Sequence, residues 1–162
     1  MTTASPSYGT TTALTITLAS LATDASLVAG RQSTVIDNGT DDAIDALVGG
    51  KITTGTTPTA SKQIEVWLFG SYDDAEYSGG AGATDAAFTP DEKTLLRLLT
   101  IIPTVNTSDK AYRFGPFSVA QAFGGVMPEK WGVYVVHNTG VNLNATGSNQ
   151  EVVYTPVKYE SA

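Results

Sequence analysis

The sequence contains no cysteine, which excludes disulfide bonds and thiolate metal sites. Charged residues make up only 15% of the chain, well below the roughly one quarter that is usual for globular proteins. Thr, Ser, Asn and Gly supply the polarity instead, a composition typical of β-sheet proteins with many turns. No apolar run approaches the roughly 20 residues that a membrane-spanning helix needs, so we expect no membrane partner.

The charge that is present is mainly acidic, since the 162 residues carry a formal net charge of −7. Nucleic-acid binding depends on Lys and Arg neutralising phosphates, so we expect no nucleic-acid partner and a preference for basic protein surfaces. The length corresponds to one domain. Residues 1–12 lack the basic and apolar parts of a secretory signal and are predicted to form an extended arm. Residues 13–162 are predicted to form a single β-sandwich domain.

Alternation of apolar and polar residues predicts about eight strands. They span residues 13–21, 31–37, 43–54, 63–71, 95–102, 111–117, 131–137 and 151–159. Ser118 is a suitable N-cap for one short helix over residues 119–123, which Gly124 and Gly125 would end. No βα unit repeats along the chain. The sequence therefore predicts an all-β fold, an antiparallel two-sheet sandwich of jelly-roll or related topology, with one short helix.

Glycine and proline positions predict where these strands turn, bulge and end. Asn38-Gly39 predicts a type I′ hairpin turn between strands 31–37 and 43–54. The second of these segments also fits one face of a helix, but the hairpin favours a strand with a bulge at Gly49-Gly50. Pro103 is expected to end strand 95–102, and Gly115-Pro116 to break strand 111–117. Pro156 is expected to mark an edge or a bulge.

Residues 72–91 form the one long irregular segment. Its length exceeds the roughly 12–15 residues expected of a structureless connection, so we expect it to be either functional or mobile. Its glycines at positions 79, 80 and 82 indicate a flexible tip. The run Thr89-Pro90-Asp91-Glu92 has the form of a capping box and predicts a helical turn near Pro90.

The residue types that carry catalysis are few and scattered. His137 is the only histidine, has no metal-ligand spacing around it, and is predicted to be a hydrogen-bonded structural residue. Two acidic clusters could in principle serve glycoside hydrolysis or bind calcium, but neither has the spacing of a calcium loop. These clusters are Asp41, Asp42 and Asp45, and Asp73, Asp74 and Glu76. We therefore expect no catalytic, metal or cofactor-binding residue and no enzyme.

The aromatic residues carry more information. Strands 64–69, 95–102 and 131–136 are apolar on both faces, whereas an antiparallel sheet usually leaves one face in water. The long loop, the short helix or neighbouring subunits would then cover the second face, and exposed patches of this kind usually mark interfaces. Alternatively, exposed aromatics could bind sugars. The candidate interface residues are Tyr8, Trp67, Phe69, Tyr72, Tyr77 and Phe88.

The segments SLATDASLVAGRQSTVIDN, LVGGKITTGTTPTASKQIEVWLFGS and RFGPFSVAQAFGG…WGVYVVHNTGVNLNATG resemble small virion structural proteins of tailed bacteriophages. The resemblance covers about residues 20–147. Some such β-sandwich proteins are capsid decoration (cement) proteins, which clamp the outer capsid surface, commonly as trimers. The resemblance implies a non-enzymatic virion component. We infer that it decorates the head rather than the neck or tail, that it is made in the host cytoplasm, and that its partners are the major capsid protein and itself as a homotrimer. The alternative is a carbohydrate-binding or host-adhesion module of the virion.

Overall fold

A computed structural model describes residues 4–73 and 75–161, except for the side chains of Asp41 and Ser161. Within these residues the chain forms eleven strands and two four-residue α-helices, α1 (Asn38–Asp41) and α2 (Val119–Ala122). The strands are β1 (Ala4–Tyr8), β2 (Thr12–Ala13), β3 (Gly30–Gln32), β4 (Ile36–Asp37), β5 (Asp45–Thr53), β6 (Lys62–Ser71), β7 (Ala86–Phe88), β8 (Arg97–Thr104), β9 (Ala111–Ser118), β10 (Lys130–His137) and β11 (Glu151–Ser161). None of the helices in this part of the chain has the length and apolar character needed to cross a membrane.

The strands form two antiparallel sheets with the connectivity of a jelly roll. Sheet 1 has the order β1–β11–β5–β9, and β2 also pairs with β11. Sheet 2 has the order β7–β3–β10–β6–β8, and β4 also pairs with β10. With β1–β2 and β3–β4 each counted as one interrupted strand, and β7 set aside, eight strands lie in two four-stranded sheets. The predicted all-β, jelly-roll-like sandwich is thus confirmed. The short helix α1 is an addition that the sequence did not predict.

The main core lies between the two sheets. Successive side chains of a strand point to opposite faces, so every second residue of β6 and β10 enters this core. Its buried members from sheet 2 include Ile64, Val66, Leu68, Trp131, Val133 and Val135. Sheet 1 contributes Val48, Ile52 and Val152, and α2 contributes Val119. The Trp131 ring packs edge-on against Tyr154, with 5.5 Å between the ring centroids.

A second, smaller core lies on the outer face of sheet 2. Phe69, Tyr134 and Val136 point outward from β6 and β10 and are buried. Residues 72–96, which we call the cover segment, fold over them and bury Ala81, Phe88 and Leu96 against these side chains. The cover segment thus seals the second apolar face of β6 and β10 within the chain. Every residue of β10 from Trp131 to His137 is buried, which makes β10 the central strand of the molecule.

The cover segment is therefore not a structureless loop. Part of it, β7, pairs with β3 and extends sheet 2. The predicted helical turn near Pro90 is present but its predicted start is wrong, because a 3₁₀ turn begins three residues later, at Lys93–Leu95, with Glu92 and not Thr89 at the N-cap position. Asp91 donates its backbone N–H to the carbonyl of Gly79, which also belongs to the cover segment. This hydrogen bond, and not a helical cap, holds the chain next to Pro90.

The predicted hairpin at Asn38-Gly39 is also wrong. β4 belongs to sheet 2 and β5 to sheet 1, so the two strands are not paired with each other. Asp37 caps α1 by accepting the backbone N–H of Gly39, and the Asn38 amide binds both backbone polar groups of Ala43. These local hydrogen bonds of Asp37 and Asn38 therefore direct the chain from sheet 2 to sheet 1. The rest of the prediction holds, because β5 is a strand with a register shift between Val48 and Gly50 opposite β9.

The first two predicted strands form only in part. Of residues 13–21 only the start, in β2, joins a ladder. The alternation persists, since Leu14 and Leu18 are buried while Thr15 and Thr17 are exposed, but the segment is an extended connection between the sheets. Strand 31–37 is interrupted after β3, where the hydroxyl of Ser33 accepts the backbone N–H of Val133.

The three prolines expected to end, break or distort strands lie inside strands rather than at their ends. They are Pro103, Pro116 and Pro156. Pro103 is within β8 and Pro116 within β9, so neither ends nor breaks its strand as predicted. Both strands lie at sheet edges, where a missing N–H need not interrupt a ladder. The Gly115-Pro116 peptide bond is cis. Pro156 lies in β11 between its contacts with β1 and β2, at an interruption in that ladder.

Candidate interaction surface

The structure divides the six candidate interface residues into three groups: buried, half-buried and exposed. Phe69 and Phe88 are buried in the second core, so they are not available to a partner in this fold. Tyr77 is half-buried and packs edge-on against Phe69, with ring centroids 6.2 Å apart. Trp67 is half-buried at the rim of the cover segment. Tyr8 and Tyr72 are exposed, which leaves these two as the accessible aromatics of the set.

Trp67 belongs to a polar network that closes the edge of the cover segment. Its indole Nε1 donates to Glu65 Oε2 at 2.8 Å, and Gln63 Nε2 donates to Glu65 Oε1 at 2.5 Å. Lys93 forms an ion pair with the same carboxylate and lies over the Trp67 ring, 4.8 Å from its centroid. Lys93 also donates to the carbonyl of Leu27. The network therefore holds the Trp67 side chain in place, so Trp67 contributes to the stability of the fold.

Tyr8 lies beside a second exposed tyrosine that the sequence did not single out. β1 pairs with β11 so that Pro6 is opposite Tyr159 and Tyr8 is opposite Val157. Directly opposed residues point to the same face, so Tyr8 and Tyr159 share the outer face of sheet 1. Their exposed fractions are 67% and 62%. Only the pairing of β1 with β11 brings them together, so no local sequence pattern indicated the pair.

An open groove of about 550 Å³ adjoins Tyr8 on the same face. Arg113 and Pro116 line it from β9, and Val153 and Thr155 line it from β11. The β5–β9 strands approach closely at its floor: a Cβ at Gly115 would lie 2.4 Å from the carbonyl oxygen of Val48. Gly115 also has a φ of +85°, so glycine is required there on both counts. The outer face of sheet 1 thus combines exposed tyrosine, a shallow groove and a cation.

The edge strands β8 and β9 form another exposed surface. Leu98 and Ile101 are each 45% exposed on β8, and Leu95 and Val105 are exposed beside its two ends. A cleft of about 370 Å³ lies between the two edge strands and α2, lined in part by Leu98 and Phe117. The sequence indicated that strand 95–102 is apolar on both faces, and within the described residues Leu98 and Ile101 on its second face remain exposed.

His137 has the structural role that the sequence predicted. Its Nε2 lies 3.0 Å from the carbonyl oxygen of Leu21 and must donate there, because a carbonyl only accepts. Its Nδ1 lies 3.0 Å from the hydroxyl of Thr139, which donates to the carbonyl of Val141. Burial lowers the pKa of His137, and the bond to Leu21 opposes that change. The imidazole therefore links Leu21, in the connection between β2 and β3, to the end of β10.

Asp45 and Asp73, one from each acidic cluster, accept hydrogen bonds from backbone N–H groups. Asp45 accepts the backbone N–H of Ala46 at 2.7 Å and of Ala120 at 2.9 Å, and so fixes the start of α2. The backbone N–H groups of Glu76 and Ala75 lower the pKa of Asp73, whereas a general acid needs a raised one. The Asp41 side chain and all of Asp74 lie outside the described residues. Within those residues no three His, Asp or Glu side chains converge as metal ligands.

Fold and surface together define an all-β, two-sheet jelly-roll protein with exposed tyrosine on one sheet and an uncovered pair of edge strands. Compared with known proteins, the chain matches no family model, no curated protein and no solved structure.

Proposed function

We propose that this chain is a non-enzymatic structural protein of a tailed-phage virion, a decoration or cement protein that binds the outer surface of the assembled head. The observation that carries the proposal is the outer face of sheet 1, where Tyr8 and Tyr159 project from paired terminal strands beside an open groove. Large exposed aromatics are enriched at protein interfaces because they combine apolar area with a polar group.

The fold and the resemblance support the same class. Jelly rolls occur in viral capsid domains and in lectins, although a fold by itself does not determine function. The segments that resemble phage virion proteins include β6, α2 and β10, which build the two cores. The resemblance thus covers the framework and the β9 side of the groove, while Tyr8 and Tyr159 lie on the terminal strands outside it.

The N-terminal strand is suited to contact a neighbouring subunit. β1 is joined to β11 by a backbone ladder, and most of its side chains are exposed. Such a strand contributes little to either core and can lie across a junction between capsid subunits. Binding to the assembled shell, and not to free subunits, would stabilise the shell by mass action, by about 2.7 kcal/mol at a free concentration 100 times Kd.

The test is binding to expanded, undecorated capsids of the source phage. We expect the protein to co-sediment with them, to raise their thermal dissociation temperature and to behave as a trimer in solution. The variant Tyr8→Ser/Tyr159→Ser should bind at least about tenfold more weakly, which corresponds to 1.4 kcal/mol. Val28→Ser, which truncates an exposed side chain elsewhere, is the matched control. A folded monomer that ignores such capsids would remove the proposal.

A second candidate is a carbohydrate-binding or host-adhesion module. Such a module would be expected to expose Trp67 or Trp131, but Trp131 is fully buried and Trp67 is engaged by Glu65 and Lys93. The groove with Tyr8 and Arg113 is the feature that favours this candidate, because sugar sites pair an aromatic face with hydrogen-bond donors. A glycan array separates the two: a signal lost in Tyr8→Ala, with no capsid binding, supports adhesion.

A further inference from the structure

The Asn38-Gly39 pair does not form the hairpin that its residue types predict, and it is the only Asn-Gly pair in the sequence. Asparagine is thermolabile, because the backbone nitrogen of the following residue can attack its side-chain amide. A glycine in that following position has no Cβ to shield the nitrogen. The other five asparagines precede Thr, Leu, Ala or Gln. Asn38 is therefore the most reactive asparagine that the sequence contains.

The reaction open to this pair is deamidation through a cyclic imide. The backbone nitrogen of Gly39 loses its proton to solvent base and attacks Cγ of the Asn38 side chain. A bond forms between that nitrogen and Cγ, and Nδ2 takes up a proton from water and leaves as ammonia. Water then opens the succinimide ring at either carbonyl and leaves aspartate or isoaspartate at position 38. The net change is an exchange of ammonia for water, which requires no oxidant or cofactor.

Both reacting groups are held by hydrogen bonds in the folded chain. The backbone N–H of Gly39 donates to Asp37 Oδ1 at 3.0 Å. Asn38 Nδ2 donates to the carbonyl of Ala43, and Asn38 Oδ1 accepts the backbone N–H of Ala43, each at 3.1 Å. The side-chain amide cannot turn toward the Gly39 nitrogen without breaking both bonds to Ala43. The carboxylate of Asp37 also disfavours loss of the proton that it accepts.

The backbone of Asn38 is held in the same way. Its N–H donates to the carbonyl of Glu129 at 2.7 Å, and its carbonyl accepts the N–H of Asp42 at 2.9 Å. These bonds lie at the surface, since Gly39 and Thr40 are exposed and the Asn38 side chain is half-buried. Residues 37–43, which we call the α1 turn, can therefore open without unpacking either core, and such local opening costs less than global unfolding.

We propose that Asn38 is a site of spontaneous deamidation in this protein and that the α1 turn controls its rate. In the folded chain the reaction proceeds only from the locally opened turn. Its rate is then the rate of the unprotected Asn-Gly pair multiplied by the fraction of molecules in which the turn is open. The inference does not depend on capsid binding.

The modification changes the turn that permitted it. Aspartate at position 38 still accepts from the N–H of Ala43, but it has no N–H to donate to the carbonyl of Ala43. Two acceptors then face each other where Asn38 and Ala43 now share a hydrogen bond of 3.1 Å, and Ala43 is only 7% exposed. A buried acceptor left without a donor is destabilising. Isoaspartate also adds a methylene to the main chain, so deamidation loosens the connection from β4 in sheet 2 to β5 in sheet 1.

The experiment follows deamidation of the full chain by peptide mass spectrometry in mildly alkaline buffer, once folded and once unfolded in urea. We expect Asn38 to react at least about tenfold more slowly in the folded chain, the factor that corresponds to 1.4 kcal/mol of opening. Gly39→Ala should slow the reaction in both states, because the added Cβ shields the attacking nitrogen. This variant should fold, since the nearest atom to that Cβ is Oδ1 of the exposed Asp37, at 3.2 Å.

Variants at Asp37 test the control by the turn. Asp37→Ala removes the acceptor of the Gly39 N–H and should raise the folded-state rate several-fold, relative to the rate of the same variant in urea. Asp37→Ser keeps a capping acceptor and should raise it less. Glu160→Ala, which removes an exposed acid outside the turn, is the matched control and should leave the ratio unchanged.

Low urea separates local opening from global unfolding. Local opening exposes little surface, so the folded-state rate should change little with low urea. A rate that rises steeply in parallel with global unfolding would overturn the control by the turn. So would equal rates in the folded and unfolded chains, a faster reaction at another asparagine, or equal ratios in Asp37→Ala and Glu160→Ala.

The effect of the modification is measured on Asn38→Asp, which is the aspartate product made directly. We expect its thermal unfolding midpoint to lie about 2–4 °C below that of the wild type. The control is Asn106→Asp, which makes the same change at an exposed asparagine and should leave the midpoint unchanged. Equal midpoints in the wild type and Asn38→Asp would contradict the loosening of the turn.

Discussion

Lys93 and Glu65 form an ion pair on the outer face of sheet 2, where the cover segment ends. The Glu65 carboxylate, whose side chain is only 7% exposed, also accepts hydrogen bonds from Trp67 and Gln63. The pair therefore joins the cover segment to β6 and closes the rim of the second core. Without this attachment, the apolar outer face of β6 and β10 would lose part of its cover.

Replacing one member of this pair should destabilise the protein strongly. Lys93→Met leaves a buried carboxylate without its cation, and we expect the free energy of unfolding to fall by about 3 kcal/mol. Urea denaturation monitored by Trp fluorescence measures the change. The double variant Lys93→Met/Glu65→Gln removes both charges and should lose clearly less. Equal losses in the two variants would show that the ion pair does not act as a unit.

The pH dependence of stability should report His137. Its pKa is lowered in the folded protein, whereas in the unfolded chain it titrates near pH 6.5. As the pH falls below about 6.5 the unfolded state binds a proton that the folded state does not, so stability decreases. Unfolding free energies between about pH 7.5 and pH 5.5 should show this decline. His137→Gln should be less stable but flatter over the same range, and an unchanged slope would contradict the assignment.

Asp85 should stabilise the segment that connects β2 and β3. Its carboxylate accepts from Arg31 Nε at 2.6 Å and from the Thr17 hydroxyl at 2.5 Å. Burial alone would raise the pKa of Asp85, but these donors hold it below its usual value. Asp85→Ala should lower the unfolding free energy by about 2 kcal/mol and speed hydrogen exchange of the Thr17 amide, which donates to the same carboxylate. Asp85→Asn, which keeps an acceptor, should lose less; slow exchange at Thr17 in Asp85→Ala would argue against this role.

Gly132 should tolerate no side chain. A Cβ there would lie 2.3 Å from the Phe69 ring, which is packed among Tyr77 and Phe88 in the second core. Gly132→Ala should therefore cost about 3 kcal/mol of unfolding free energy, at the upper end for overpacking. Gly147→Ala is the control, since nothing lies within 4 Å of its Cβ position, and it should change stability by less than about 0.5 kcal/mol. Thermal unfolding of both variants decides the point, and similar values would contradict the close packing.

Alternation with period two predicted the long strands because it records which side chains face a core. β6, β10 and β11 formed close to their predicted bounds, and the Ser118 cap placed α2. The local sequence pattern was misleading at Asn38-Gly39. The predicted hairpin does not form there, because hydrogen bonds of Asp37 and Asn38 turn the chain from one sheet to the other. A turn motif reports local backbone preference and not the strand that will be the partner.

The candidate surface was less predictable than the fold. Burial of Phe69 and Phe88 and exposure of Tyr8 could not be decided from the sequence, because residue type alone does not say which aromatics a distant segment of the chain will cover. The answer depended on whether residues 72–96 fold back over sheet 2. The second tyrosine of the sheet 1 face, Tyr159, meets Tyr8 only because the two ends of the chain pair.

By itself, the sequence determined the β class, the positions of the long strands, the helix cap at Ser118 and the structural role of His137, since periodicity, turn chemistry and the inventory of residue types are local properties. Only the tertiary structure decided which sheet each strand joins, what covers the second face of sheet 2, and which aromatics reach solvent. Those outcomes depend on contacts between residues far apart in the chain, such as Glu65 with Lys93 and β1 with β11. A local pattern cannot specify such contacts, because many pairings of similar strands satisfy the same alternation.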